Sequence, residues 1–304
     1  METLRARTLT WTALALTAFA ANSLLCRRAL GHTALDAASF STIRLASGAA
    51  VLVAIAQSRG RGASGLRGSW GSASLLFLYA VPFSFAYVSL GAGTGALILF
   101  GAVQTTMLAA ALVLGERPHV FQWTGLALAL GGLVYLVMPG LTAPSRTGCA
   151  LMVIAGASWG FYSLRGRRPA DPLAETAGNF ARALPFAMGV NLLAASHAGW
   201  SWEGALLAVL SGALASGLGY LAWFAALPGL TATGAASVQL AVPVLAAAGG
   251  VILLGEPITS RLVVSAFLIL GGVALVIART APRRPPPHPS GGSTGAEAAP
   301  RSEG

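Results

Sequence analysis

Arg44, in SFSTIRLAS, and Arg182, in GNFARALP, each place a permanent positive charge inside a long apolar run. A guanidinium in hydrocarbon costs about 2.5–3.5 kcal/mol on insertion scales, so each is expected to face a helix-bundle interior or water. There it could attract a carboxylate or other anionic group through charge-assisted hydrogen bonds. It could equally tie helices together by bonding to broken-helix carbonyls or to Asn and Ser side chains. A second set of polar and aromatic residues lies near the centres of apolar runs: Asn22, Tyr79, Gln104, Trp159, Tyr162, Tyr220, Trp223 and Gln239. A few convergent hydrogen-bonding groups among apolar and aromatic walls suit an amphipathic solute. Singly, such residues more often bond neighbouring helices or sit at the membrane interface, and Tyr162 and Trp223 fall near helix ends. The chemistry on offer is binding, and no residue is assigned a catalytic role.

Bond-making chemistry finds little support elsewhere. All nineteen basic residues are Arg, which removes the GxxxxGK[ST] phosphate loop and any Schiff-base Lys. HExxH and paired catalytic carboxylates are absent from the sequence. Asp36, Asp171, Glu175 and Glu203 fall at helix ends or in loops, so no carboxylate relay is predicted at midplane. Glu116 and Glu256 follow their helices at tight turns, where each is expected to cap the first turn of the next helix. Cys26 and Cys149 have no metal-ligand spacing. No cofactor and no metal is expected.

The elements that must position these residues are helices in lipid. Charged residues make up only 9% of the 304 and hydrophobic residues 55%, too few charges to cover a water-facing surface. Helices are predicted at 8–29, 36–57, 70–90, 91–114, 119–138, 148–165, 173–195, 204–227, 231–255 and 260–279. Two boundaries are weak: only Gly91, Gly93 and Gly95 divide 70–114, and only Pro228 and Gly229 divide 204–255. Pro82, Pro185 and Pro243 should bend spans near their centres. The small residues Gly156/Gly160 and Ser211/Ala215/Gly219 read as close-packing positions only. The N-terminus, with Arg5, Arg7 and Ala18-Phe19-Ala20, mimics a signal peptide, but its apolar run continues to Cys26 and retention is expected. Residues 280–304 have almost nothing to bury and read as a disordered tail.

A shift of 140 residues lays ALVLGERP…LALGGLVYLV (111–137) on VILLGEPI…LILGGVALVI (251–277), and a shift of 138 lays Arg44 on Arg182. Each half, 1–140 and 141–279, then holds five helices, and the odd number inverts the second half relative to the first. The fold class expected is an all-α integral membrane protein of ten transmembrane helices in two inverted five-helix repeats. Many secondary transporters are built this way, with the solute held near midplane between the halves. With the N-terminus inside, thirteen Arg face the cytoplasm and four the outside, which puts both termini in the cytoplasm. That distribution explains the net charge of +10 better than nucleic-acid binding does. The partners expected are the lipid bilayer and a small-molecule solute, no nucleic acid, with a homodimer left open.

Leu114-Gly115-Glu116 and Gly131-Gly132, their copies Leu254-Gly255-Glu256 and Gly271-Gly272, and SWGFYS (158–163) resemble the drug/metabolite transporter superfamily, EamA branch. The resemblance spans about residues 10–279; the first helix departs from it in reading FAANSL (19–24), where members often carry Trp-Gly before the Asn. It implies a ten-helix permease of a bacterial inner membrane, usually an exporter of amino acids, related metabolites or toxic compounds. A sensor or scaffold that keeps the fold without transporting is the alternative.

Overall fold

The computed structural model describes residues 2–60, 66–113, 120–138, 143–166, 171–230, 238–239 and 241–278. Its helices are α1 (Glu2–His32), α2 (Ala37–Ser58), α3 (Trp70–Tyr87), α4 (Ala92–Val113), α5 (Val120–Val137), α6 (Arg146–Arg165), α7 (Pro172–Leu193), α8 (Trp202–Gly229), α9 (Ala241–Leu254) and α10 (Ser260–Ala278). No strand occurs among the described residues. The stretches Ala6–His32, Ala37–Ser58, Arg146–Arg165 and Trp202–Gly229 are long and apolar enough to cross a membrane. Shorter apolar stretches occupy α4, α5, α9 and α10. At the weakly marked boundaries α3 ends at Tyr87 and α4 starts at Ala92, while α8 finishes in a tight turn over Leu227–Gly229, where the Gly and Pro signals lie. Glu116 and residues 280–304 lie outside the described residues.

Short polar side chains start the helices. Asp36 accepts the Ala38 and Ser39 amides at 3.0 and 2.9 Å, and Ser69, Ser145, Asp171 and Ser201 cap α3, α6, α7 and α8 in the same manner. Such side chains satisfy amides that a helix cannot bond internally. Glu256 departs from its expected role. Thr259 supplies the cap of α10, accepting from the Leu262 amide at 3.1 Å. Glu256 instead crosses the molecule, accepting the Ala92 amide at the start of α4 through both carboxylate oxygens, at 3.0 and 2.8 Å. Gly255, at φ 66°, takes the left-handed conformation that turns the chain after α9.

The helices pair as α3 on α6 and α1 on α8, α4 on α6 and α1 on α9, α2 on α8 and α3 on α7, with α2 on α7, α4 on α9 and α5 on α10. Each pair maps onto another, or onto itself, when five is added to the helix number. At α5–α10 the correspondence reaches single residues. Gly132 packs on Leu268 and Ile269, while Gly272 packs on Leu128 and Ala129, positions 140 residues apart.

Contacts sort the helix ends into two groups. Arg27 near the end of α1, Val88, Ala92 and Glu256 meet at one end, where Arg28 also pairs with Glu203. Thr8 packs near Gly229, and Arg67 bonds the Ala174 carbonyl, at the other. The start of α1 and the finish of α10 share this second end.

Pro82 and Pro185 are inside α3 and α7, as predicted; Pro243 is inside the described part of α9, and residues 231–237 and 240 of its predicted span lie outside the described residues. Helix α8 is not uniform: Ser211–Leu218 is a π-helix.

Candidate functional site

The buried polar centre is built on α2 and α8. Arg44 is 1% exposed, and its Nε donates to Ser216 Oγ at 3.1 Å. Its Nη2 donates to Tyr79 Oη, also at 3.1 Å. The guanidinium carbon lies 5.2 Å from the Tyr79 ring centre and 4.9 Å from that of Phe83. Asn22 Nδ2 donates to the same Tyr79 hydroxyl at 3.3 Å, and Asn22 Oδ1 accepts from Ser211 Oγ at 2.6 Å. The chain of bonds therefore leaves α8 at Ser211, passes through α1, α3 and α2, and returns to α8 at Ser216.

The π-helix makes that return feasible. In an α-helix, residues five apart point roughly 140° away from one another. The i→i+5 bonding of a π-helix brings them much closer to one face, and such segments gather at functional sites. Ser211 and Ser216 are five apart, both 1% exposed or less. Gly212 between them lies so close to the Arg44 carbonyl and Ser47 Oγ that a Cβ there would overlap both. The glycine thus sets how near α2 comes to α8.

Aromatic rings close over this network. Trp159 lies 4.8 Å from Tyr220 and 5.0 Å from Tyr79, and stacks on Tyr162 at 5.6 Å and 29°. Phe19 stands edge-on to Trp159, Tyr220 and Trp223, all at about 6 Å, and Phe180 packs on Tyr220 at 5.7 Å. Tyr162 and Trp223 are each 4% exposed, so both belong to the core and not to an interfacial belt.

Two polar atoms at this centre have no hydrogen-bond partner among the described residues: Arg44 Nη1 and Tyr220 Oη. Among the described residues no carboxylate pairs with Arg44. An unmatched donor on a buried charge is costly, and buried cations in proteins are ordinarily paired. An anionic group is the chemical complement of such an unmatched donor.

The remaining predicted residues sit elsewhere. Arg182 is half-buried, donating from Nη1 to the Arg67 carbonyl at 2.8 Å and the Gly178 carbonyl at 3.0 Å. It holds the segment before α3 against α7. Gln104 is buried on α4 and Gln239 is buried ahead of α9. The sequence reading did not single out Phe19, Phe83, Phe180 or Ser216, and it took Ser211 for packing alone. The available signal was the pair of serines five apart in SGALASG, together with Phe19 one helical turn before Asn22.

The end of the bundle nearest Glu256 is tied shut. Arg27 Nε bonds Glu256 Oε1 at 3.1 Å, and Arg27 Nη1 donates to the Tyr87 and Val88 carbonyls at 3.1 and 3.3 Å. Helix α1, the α3–α4 turn and the α9–α10 turn are thereby joined. Cys26 and Cys149 are both free and buried.

Comparison with known proteins places this geometry. Residues 146–278, which hold α6 to α10, match the EamA-like transporter family. An uncharacterized protein of Pseudomonas aeruginosa is 56% identical over 274 residues, covering 90% of this chain and 95% of that one. The threonine/homoserine exporter RhtA of Escherichia coli is 34% identical over 160 residues, and that of Salmonella typhimurium 32%. Both matches cover 51% of this chain, and the chain spans about half, 53%, of the length of each exporter. A solved crystal structure 21% identical aligns over 88% of this chain and 97% of its own with a TM-score of 0.61, which shows a common fold. The repeated LGE and GG motifs, the apolar helices and the match from α6 onward agree: the chain belongs to the EamA-like transporter family of membrane permeases.

Proposed function

We propose that the chain is a secondary transporter that exports a small carboxylate-bearing solute, an amino acid or related metabolite, across a bacterial inner membrane. It works by alternating access between two inverted five-helix repeats, 1–140 and 141–279, ten crossings in all. Asn22, Arg44, Tyr79, Trp159, Tyr162, Tyr220 and Trp223 handle the solute. The reading rests above all on one observation: Arg44, fully buried where six helices meet, keeps an unbonded Nη1 and has no carboxylate partner among the described residues. The mirrored helix pairings and the matched Gly132 and Gly272 contacts support the inverted repeat. The excess of Arg at the end where both α1 starts and α10 finishes supports cytoplasmic termini. The RhtA relatives make threonine and homoserine the first solutes to try.

Proteoliposomes loaded with labelled homoserine or threonine test the reading. Unlabelled carboxylate solute should compete for transport, whereas the corresponding amide, matched in shape but lacking the anion, should compete roughly ten- to a hundredfold less well, the worth of a charge-assisted bond. Equal competition by acid and amide would remove Arg44 from solute recognition.

A further inference from the structure

Arg7 on α1 and Arg59 just beyond α2 flank the mouth of a groove of ≈ 840 Å³ on the flank of the bundle, where α1 meets α8. Below them the walls are apolar, with Trp11, Leu14 and Ala18 on one side and Leu214, Leu218 and Ala225 on the other. Leu14 is 52% exposed and Leu214 51%. A second apolar groove of ≈ 490 Å³ shares Leu14, Ala18 and Leu214 and carries the seam onward toward Leu25 and Leu210.

Length and charge together select an occupant. Arg7 to Ala18 is about 16 Å of helix at 1.5 Å per residue, close to half of the ~30 Å hydrocarbon core and so to one leaflet's acyl chains. Arg7 and Arg59 have no ion pair or side-chain hydrogen bond among the described residues, whereas Arg27, Arg28 and Arg165 are all engaged. Asp171 also touches the mouth, but its Oδ1 caps α7 by accepting the Ala174 amide at 3.2 Å. Two guanidinium groups against one carboxylate leave the mouth net positive. We propose that this groove binds an anionic phospholipid, with its phosphate between Arg7 and Arg59 and one acyl chain along the α1–α8 seam. A zwitterionic lipid fills the apolar walls equally well, but brings an ammonium to two guanidinium groups. Since α1 and α8 also carry Asn22, Ser211 and Ser216, an occupied groove braces the polar centre from behind.

The test uses the full chain purified in neutral detergent, with lipid retention read by native mass spectrometry and stability by thermal melting. Phosphatidylglycerol should be retained and should raise the melting temperature more than phosphatidylethanolamine or phosphatidylcholine with the same acyl chains. Soluble glycerol phosphate should do neither. Arg7→Gln/Arg59→Gln should weaken phosphatidylglycerol binding roughly tenfold or more. Ala225→Phe, which fills the groove and leaves the charges, should weaken binding of every lipid and serves alone if the double variant does not fold. Equal effects of phosphatidylglycerol and the zwitterionic lipids, undiminished binding by either variant, or a full response to glycerol phosphate would each overturn the proposal.

Discussion

At the scale of single residues, Tyr220 offers a separation that Arg44 does not. Arg44 bonds Ser216 and Tyr79, so its removal damages the protein and the site together. Tyr220 Oη, on a residue 2% exposed, has no hydrogen-bond partner among the described residues, and its ring makes the packing contacts with Trp159, Phe19 and Phe180. An unsatisfied buried hydroxyl costs about 1–3 kcal/mol. Tyr220→Phe should therefore leave the melting temperature unchanged or raise it, while increasing the solute concentration needed for half-maximal transport. A variant less stable than the wild type, with unaltered transport kinetics, would mark the hydroxyl as structural. Much of this centre was legible in the sequence, because Asn22, Arg44, Tyr79, Trp159 and Tyr220 are conspicuous in apolar surroundings. Arg182 was less so. The repeat gave its position relative to Arg44 but not its surroundings, since a carbonyl in the segment before α3 reached it first.

At the scale of elements, the decisive piece is the π segment of α8 and the close approach it allows to α2. Gly212→Ala would drive a methyl into the Arg44 carbonyl and Ser47 Oγ, both held by their own helix. Forced overpacking of that kind costs about 1–3 kcal/mol, so the variant should melt earlier and transport poorly as Ser211 and Ser216 move off Asn22 and Arg44. Gly189→Ala in α7 is the control. Nothing lies within 4 Å of a Cβ there, and the gain in helix propensity, at most about 1 kcal/mol, should leave stability equal or higher. Equal melting temperatures for the two variants would show that α2 and α8 do not depend on this contact. Helix positions followed readily from apolar run length, and the two weak boundaries fell where Gly and Pro indicated. The π segment was hidden because SGALASGL has the composition of any small-residue helix, and only the packed neighbours distinguish it. Glu256 was misread for a related reason. A cap is inferred along the chain, and the amide it serves, Ala92, is 164 residues away.

At the scale of the whole molecule, the proposed alternating access requires the polar centre to open to one end at a time. The joint of Arg27, Glu256, the Tyr87 and Val88 carbonyls and the Ala92 amide closes one end by linking α1 to the α3–α4 and α9–α10 turns. The ion pair is mostly buried, its side chains 20% and 16% exposed, and it draws on the partial positive charge at the start of α4. If the halves rock about the centre, this joint has to break in every cycle that carries solute to that end. Arg27→Cys/Glu256→Cys, made in a Cys26→Ser/Cys149→Ser background, puts two thiols across it for a bifunctional thiosulfonate reagent of matching length. Bridging should arrest transport in proteoliposomes, and a reductant should restore it. The same reagent on each single-cysteine variant should have little effect, which separates bridging from mere modification. Binding of solute to the bridged protein, measured by its thermal shift, should persist from the opposite end. Full transport with the bridge intact would mean that solute does not pass this end of the bundle, and the alternating-access reading would fall with it.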